Sequence, residues 1–378
     1  MALFPSRQVT ITSYQGTAGF GNAINFNLPR TFFGDSALLV IPITIATPDA
    51  SATFSTPGLI NAVKNVNLQI SDGTSNRSQT YASGWGLLRK GIRVLDQLDN
   101  QTLVSTGSGL LYQQSIDAAS KIGTGTFNIV IPLLWRTTQV SDPNGSATLL
   151  PLPRYNTDPQ LTVTFGALTD IVTSTVTNLA VTFGSPYVSL IQREILNVAF
   201  PVFDTQLAEL QTTQSASGNN VIINLPVPGN YTFINLYGEN TSASSRLGLL
   251  PGTLQSAGNP WVLQYIGQTL RQFNLADLKT LEQYTQATNV YPITGTATDA
   301  LAFLDPFQGV YHLNFINDNF GAEAAEFGSV LNSNVLSGTG SQVQIVQNFG
   351  SAANMYYLYE QILGTLTQLT FAGALANG

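Results

Sequence analysis

The chain has 378 residues, enough for two domains with cores of their own. It has no cysteine and one histidine, which excludes disulfides, thiolate metal sites and cysteine nucleophiles and leaves His312 as the sole histidine base. Charged residues make up 9% of the chain, against about 25% in an ordinary soluble domain, and the formal net charge of −7 argues against a surface built to neutralise phosphates.

Residues 8–12 and 24–28 alternate apolar with polar side chains, the period of half-buried strands. Residues 37–45 are almost wholly apolar, as in a strand covered on both faces. In 65–70, Val66, Leu68 and Ile70 alternate with Asn65, Asn67 and Gln69, and the strand ends at Asp72-Gly73. Asp-Gly supplies the positive-φ positions of a hairpin turn, so a return strand through Thr80 is expected, after which Ser83 caps a helix. That helix places Trp85, Leu88, Ile92 and Leu95 on one face and Arg89, Lys90, Arg93 and Asp96 on the other. Its basic side is expected to be solvated, or else to contact another subunit or lipid headgroups. Trp85 is expected to anchor the helix in the core.

Residues 127–133 form a clean alternating strand, followed by a proline-rich loop at 137–159. Two more strands are expected at 161–165 and 179–183. A Gly-Ser-Pro turn at 184–186 leads to the boundary, with a fresh strand at 195–203 and the halves taken as 1–190 and 191–378. The second half then repeats the first. Trp261-Val-Leu-Gln-Tyr265 reads as a strand, a polar run holds Arg271, and Asn274 with Asp277 caps a helix carrying Leu275, Leu278 and Leu281. The segment at 309 answers the one at 127 with an offset of 182, and the segment at 341 answers the one at 160 with an offset of 181. Two near-equal offsets point to duplication. About eight strands per half, each half with one helix and long loops, fit an all-β chain of two tandem eight-stranded jelly rolls.

Little here carries chemistry. His312 lies in the strand pattern opposite Tyr311 and Leu313, as a solvent-facing or interface histidine would. No phosphate-binding GxxxxGK[ST] run occurs, no ligand spacing for a metal is visible, and no cofactor is expected. The 21 acidic residues are scattered, so a carboxylate pair for glycoside hydrolysis has no sequence signature. The first residues lack a signal-peptide core and no apolar run reaches the length of a membrane span, so the chain is expected to be soluble and made in a cytoplasm.

Three stretches carry a resemblance. The apolar strand, Asp-containing turn and Ser83-Gly84-Trp85 between residues 59 and 88, the run Gly123-Thr-Gly-Thr-Phe-Asn-Ile-Val-Ile-Pro-Leu133 with Gln160-Leu-Thr-Val-Thr-Phe165 after a long loop, and Phe307-Gln-Gly-Val-Tyr311 resemble the major capsid proteins of tectiviruses. The resemblance implies two jelly rolls side by side in one subunit and three subunits in a pseudo-hexagonal capsomer. Such capsomers tile the icosahedral shell of a bacteriophage over an internal membrane, together with penton and minor capsid proteins. Family members can carry a long N-terminal helix that reaches inward, whereas Met1 to Arg7 alone precede the first strand here. On this reading the protein sits in the virion shell, assembles with itself, has no catalytic residue and does not bind nucleic acid directly. A carbohydrate-binding or carbohydrate-cleaving β-sandwich, such as a virion spike, is the competing reading.

Overall fold

Strands in chain order are β1 Pro5–Tyr14, β2 Ala23–Asn27, β3 Phe33–Ala46, β4 Val63–Ser71, β5 Asn76–Ala82, β6 Gly125–Leu134, β7 Gln160–Phe165, β8 Ala180–Phe183 and β9 Tyr187–Ile195. They continue as β10 Asp204–Gln214, β11 Gly218–Asn224, β12 Asn230–Glu239, β13 Trp261–Tyr265, β14 Gln268–Phe273, β15 Tyr291–Pro292, β16 Phe303–Leu304, β17 Val310–Asn314, β18 Leu331–Asn332, β19 Val343–Phe349 and β20 Ala353–Leu363. Two longer helices, α1 (Gly84–Leu95) and α2 (Leu275–Thr285), each follow directly on a strand, β5 and β14. The computed structural model describes residues 5–16, 18–46, 55, 57–71, 76–95, 125–135, 149–171, 180–195, 204–225, 230–241, 247–265, 268–285, 291–292, 303–304, 308–314, 331–332 and 343–363. The Asp72-Gly73 turn, residues 101–122, most of the two long loops and the expected strand at 196–203 lie outside them.

The pairing order shows the duplication. In the first half β1-β9-β3-β6 form one sheet, with β8 also on β3, and β2-β7-β4-β5 lie in the other. In the second half β10-β20-β12-β17 and β11-β19-β13-β14 repeat those orders strand for strand. Ser71 opposite Asn76 closes the β4–β5 hairpin that the Asp-Gly pair predicts. Each pair of sheets encloses a core. Leu39, Ile41, Ile131 and Leu190 meet Phe26, Leu68, Leu161 and Val163 in the first, while Tyr231, Leu236, Tyr311 and Tyr357 meet Trp261, Leu263 and Ile345 in the second. Two antiparallel sheets in this order are a jelly roll, and the chain is two of them in tandem.

The rolls are joined edge to edge. β5 pairs in parallel with β10, Thr80 opposite Leu207 and Tyr81 opposite Ala208, so one sheet path runs from β17 in the second roll to β2 in the first. At Gly309 the entry to β17 needs φ of +80°, and a Cβ there would stand 2.5 Å from the Gly238 carbonyl oxygen. Glycine alone fits that turn.

One strand departs from its sequence pattern. Residues 37–45 read as covered on both faces; the side carrying Ala37, Leu39, Ile41 and Ile43 enters the core of the roll, while on the other side Val40 is buried and Leu38 is 39% exposed. The apolar run is therefore wider than the core of a single chain requires.

Candidate functional site

The chemically distinctive region is the seam between the rolls, built around α1. Ser83 follows β5 and caps the helix, its Oγ accepting from Gly86 N at 2.9 Å. Helical spacing then puts Ser83, Gly86, Arg89 and Lys90 along the side turned to the second roll. That side is not solvated. Arg89 and Lys90 are 1% and 2% exposed. Arg89 Nη2 donates to Glu209 Oε2 on β10 at 2.8 Å, and Lys90 pairs with Glu360 on β20. This corrects both sequence expectations for the basic face, since neither side chain can reach bulk water, a lipid headgroup or another subunit. Arg93, the third basic residue, lies in α1, but its side chain is outside the described residues.

Hydrogen bonds complete the pairs. Glu209 also accepts from Ser83 Oγ at 3.0 Å and from Gln211 Nε2 at 3.3 Å, and Glu360 Oε1 accepts from Thr232 Oγ1 at 3.0 Å. Beside them Glu239 accepts from Tyr237 and Tyr356 hydroxyls at 3.2 and 2.8 Å. The Arg89 guanidinium lies 5.6 Å from the centre of the Tyr237 ring, and Trp85 meets the same ring edge-on at 6.1 Å. Burial pulls the Arg89 guanidinium below its ordinary value, opposed by the charge of Glu209. Burial likewise pushes the Tyr237 phenol well above its own value, with neighbouring Glu239 adding to the rise. The raised phenol keeps its proton at neutral pH.

Trp85 is the core anchor that the sequence pattern predicts, 2% exposed. It does more than hold one roll, because Leu207, Phe233, Tyr237, Val310 and Leu358 of the second roll join the same apolar cluster. Gly86 lets the helix come this close. A Cβ there would lie 2.4 Å from Glu209 Oε2 and 3.3 Å from Leu358 Cδ1. Nothing in the local sequence marks Glu209 and Glu360 as partners of this helix. Their only signal is an acidic residue in the middle of a strand, which is unusual in a chain with 9% charged residues.

His312 stands on β17 opposite Asn235 on β12 and donates from Nδ1 to the Asn235 side-chain oxygen, on the face turned away from Tyr311 and Leu313. It is thus held within the sheet beside the seam. Among the described residues no group of three or more His, Cys, Asp or Glu could hold a metal ion. The buried carboxylates Glu209 and Glu360 carry the α1 cations across the seam, and Glu239 carries two phenols of its own roll.

No protein-family model and no curated protein matches the chain. Solved structures do. The major capsid protein of Sulfolobus turreted icosahedral virus superposes with a TM-score of 0.64 at 15% identity, covering 96% of this chain and 99% of that one. The chain has the double jelly-roll fold of viral major capsid proteins. The PBCV-1 virus capsid protein shares it with a TM-score of 0.58 at 12% identity over 96% of this chain and 98% of that one. So does the Faustovirus major capsid protein, with a TM-score of 0.51 at 10% identity over 95% and 91%. In the double jelly roll described here, β5–β10 pairing and the α1 ion pairs fix one roll against the other.

Proposed function

We propose that the protein is a major capsid protein that works by assembly and not by catalysis. Its chain divides into an N-terminal roll, taken from the sequence as 1–190 and running on to the end of β9 at Ile195, and a C-terminal roll in the remainder to 378. Three copies form a pseudo-hexagonal capsomer, and capsomers tile the shell of an icosahedral bacteriophage with an internal membrane, beside penton and minor capsid proteins. The observation that carries this reading is the strand-for-strand repetition of one roll by the other within a single rigidly joined subunit. Two such lobes under threefold symmetry give the six-lobed outline that a hexagonal net requires.

A surface poor in charge supports the same reading, because neutral polar faces lose less solvation on burial than charged ones. Contact with bare nucleic acid is not part of it. The chain carries 14 Lys and Arg against 21 Asp and Glu, and two of the cations are spent inside the seam. Any inward contact with a membrane is made elsewhere than at Arg89 and Lys90. Purified virus particles provide the test: this chain should be the most abundant protein in an icosahedral shell, and the purified protein should show negligible DNA binding at about 0.15 M salt. Absence from the shell, or tight DNA binding under those conditions, would overturn the proposal.

A further inference from the structure

The α1 seam has a counterpart that is unfilled within one chain. α2 follows β14 as α1 follows β5, so Asn274 stands where Ser83 does and the turn-by-turn positions of Gly86 and Arg89 fall on Asp277 and Thr280. In α1 those positions are buried against the second roll. In α2, Asn274, Asp277 and Thr280 are all exposed, while Leu275 and Leu278 on the other side enter the core.

The surface that α1 covers has a counterpart too. α1 lies on the outer face of β10-β20-β12, across the row Leu207, Glu360 and Phe233. The matching sheet of the first roll, β1-β9-β3, presents the row Thr12, Ser189 and Leu38 on its outer face. This is the face whose apolar strand the sequence pattern marks as covered, and on which Leu38 is 39% exposed.

We infer that α2 of one copy docks on the outer face of β1-β9-β3 of the next, repeating between chains the contact that α1 makes within the chain. This inference rests on the homotrimer proposed above and names the surfaces that close it. The occupant is a second copy because the same two kinds of surface already meet once inside each subunit, and a head-to-tail contact repeated three times can close into a ring.

Charge keeps the two seams distinct. Placed on β10-β20, α2 would bring Asp277 to the Gly86 position, beside the Glu209 carboxylate, and would offer Thr280 where Arg89 neutralises it. Placed on β1-β9, α1 would bury Arg89 and Lys90 against Thr12 and Ser189, hydroxyls 3.2 Å apart with no carboxylate in their row. α1 in the place of α2 would strand two buried cations, so the ion-paired seam belongs within the chain, while the seam between chains carries Asp277, which accepts from Asn274 Nδ2 at 3.0 Å.

The absence of native cysteine makes the test direct. Thr280→Cys is combined in turn with Thr12→Cys and with Ser189→Cys, and as a control with Ile222→Cys on the exposed side of β11. After mild oxidation, at least one of the first two pairs should give a covalent trimer in denaturing gels, and the control should not. A separate variant, Leu38→Glu, should shift the folded protein from trimer to monomer in light scattering. If the unmodified protein is a trimer but neither pair cross-links and Leu38→Glu stays trimeric, this seam is wrong and the trimer stands on other surfaces. If the unmodified protein is itself a monomer, the trimer reading falls, and this inference falls with it.

Discussion

Replacing Arg89 with Met should test whether the seam between the rolls holds as described. The Arg89 side chain is 0% exposed and its partner Glu209 is 2% exposed, so neither solvent nor salt screens the pair. Removing the guanidinium strands the carboxylate in the protein interior, still held by Ser83 and Gln211 but without a counter-charge. Breaking one side of a buried pair costs about 3–5 kcal/mol, and Glu209→Gln should cost a similar amount by stranding the cation. The double variant removes both charges at once, so the two changes should couple by about 2–3 kcal/mol rather than add. Equilibrium denaturation followed by circular dichroism, at one fixed protein concentration because association also stabilises the fold, measures all three. A cost below about 0.5 kcal/mol for Arg89→Met, or simple additivity, would show that the pair is not buried as described.

Gly86→Ala forces a methyl group to within 2.4 Å of Glu209 Oε2 and should cost about 1–3 kcal/mol by the same measurement, although alanine is the better helix former. His312→Ala removes the donor to the Asn235 oxygen, and should lower stability by about 1–3 kcal/mol without abolishing any hydrolytic activity. Loss of a measurable hydrolysis in that variant would refute the structural role. Stability should also fall as pH rises above about 10, where tyrosines of the unfolded chain ionise. Burial pushes the folded Tyr357 up to about 12, so between those values the folded state holds a proton that the unfolded state has lost, at a cost of about 1.4 kcal/mol per pH unit. Thermal unfolding between pH 8 and 12 reads this, and a melting temperature flat over that range would contradict it.

The sequence was a good guide to what alternation and turn chemistry control. The inward residues Val66, Leu68 and Ile70, the β4–β5 hairpin, the Ser83 cap and the duplication of strand order all follow from local rules, and the structure reproduces them. The seam was not legible for a physical reason. Helical periodicity separates Trp85 from Arg89 and Lys90 but says nothing of what the polar side meets, and Glu209 lies 120 residues further along the chain. The β5–β10 pairing joins segments more than a hundred residues apart, and no short pattern announces it. In β3 the apolar run reads as covered on both faces, and within the single chain Val40 on the outer face is buried while Leu38 beside it is not.

The measurement that bears most directly on a capsid-building role is the mass of the purified protein in solution. Light scattering or sedimentation at micromolar concentration should give about three times the chain mass of 40.4 kDa, with a six-lobed outline in electron micrographs. A stable monomer at that concentration would contradict the account.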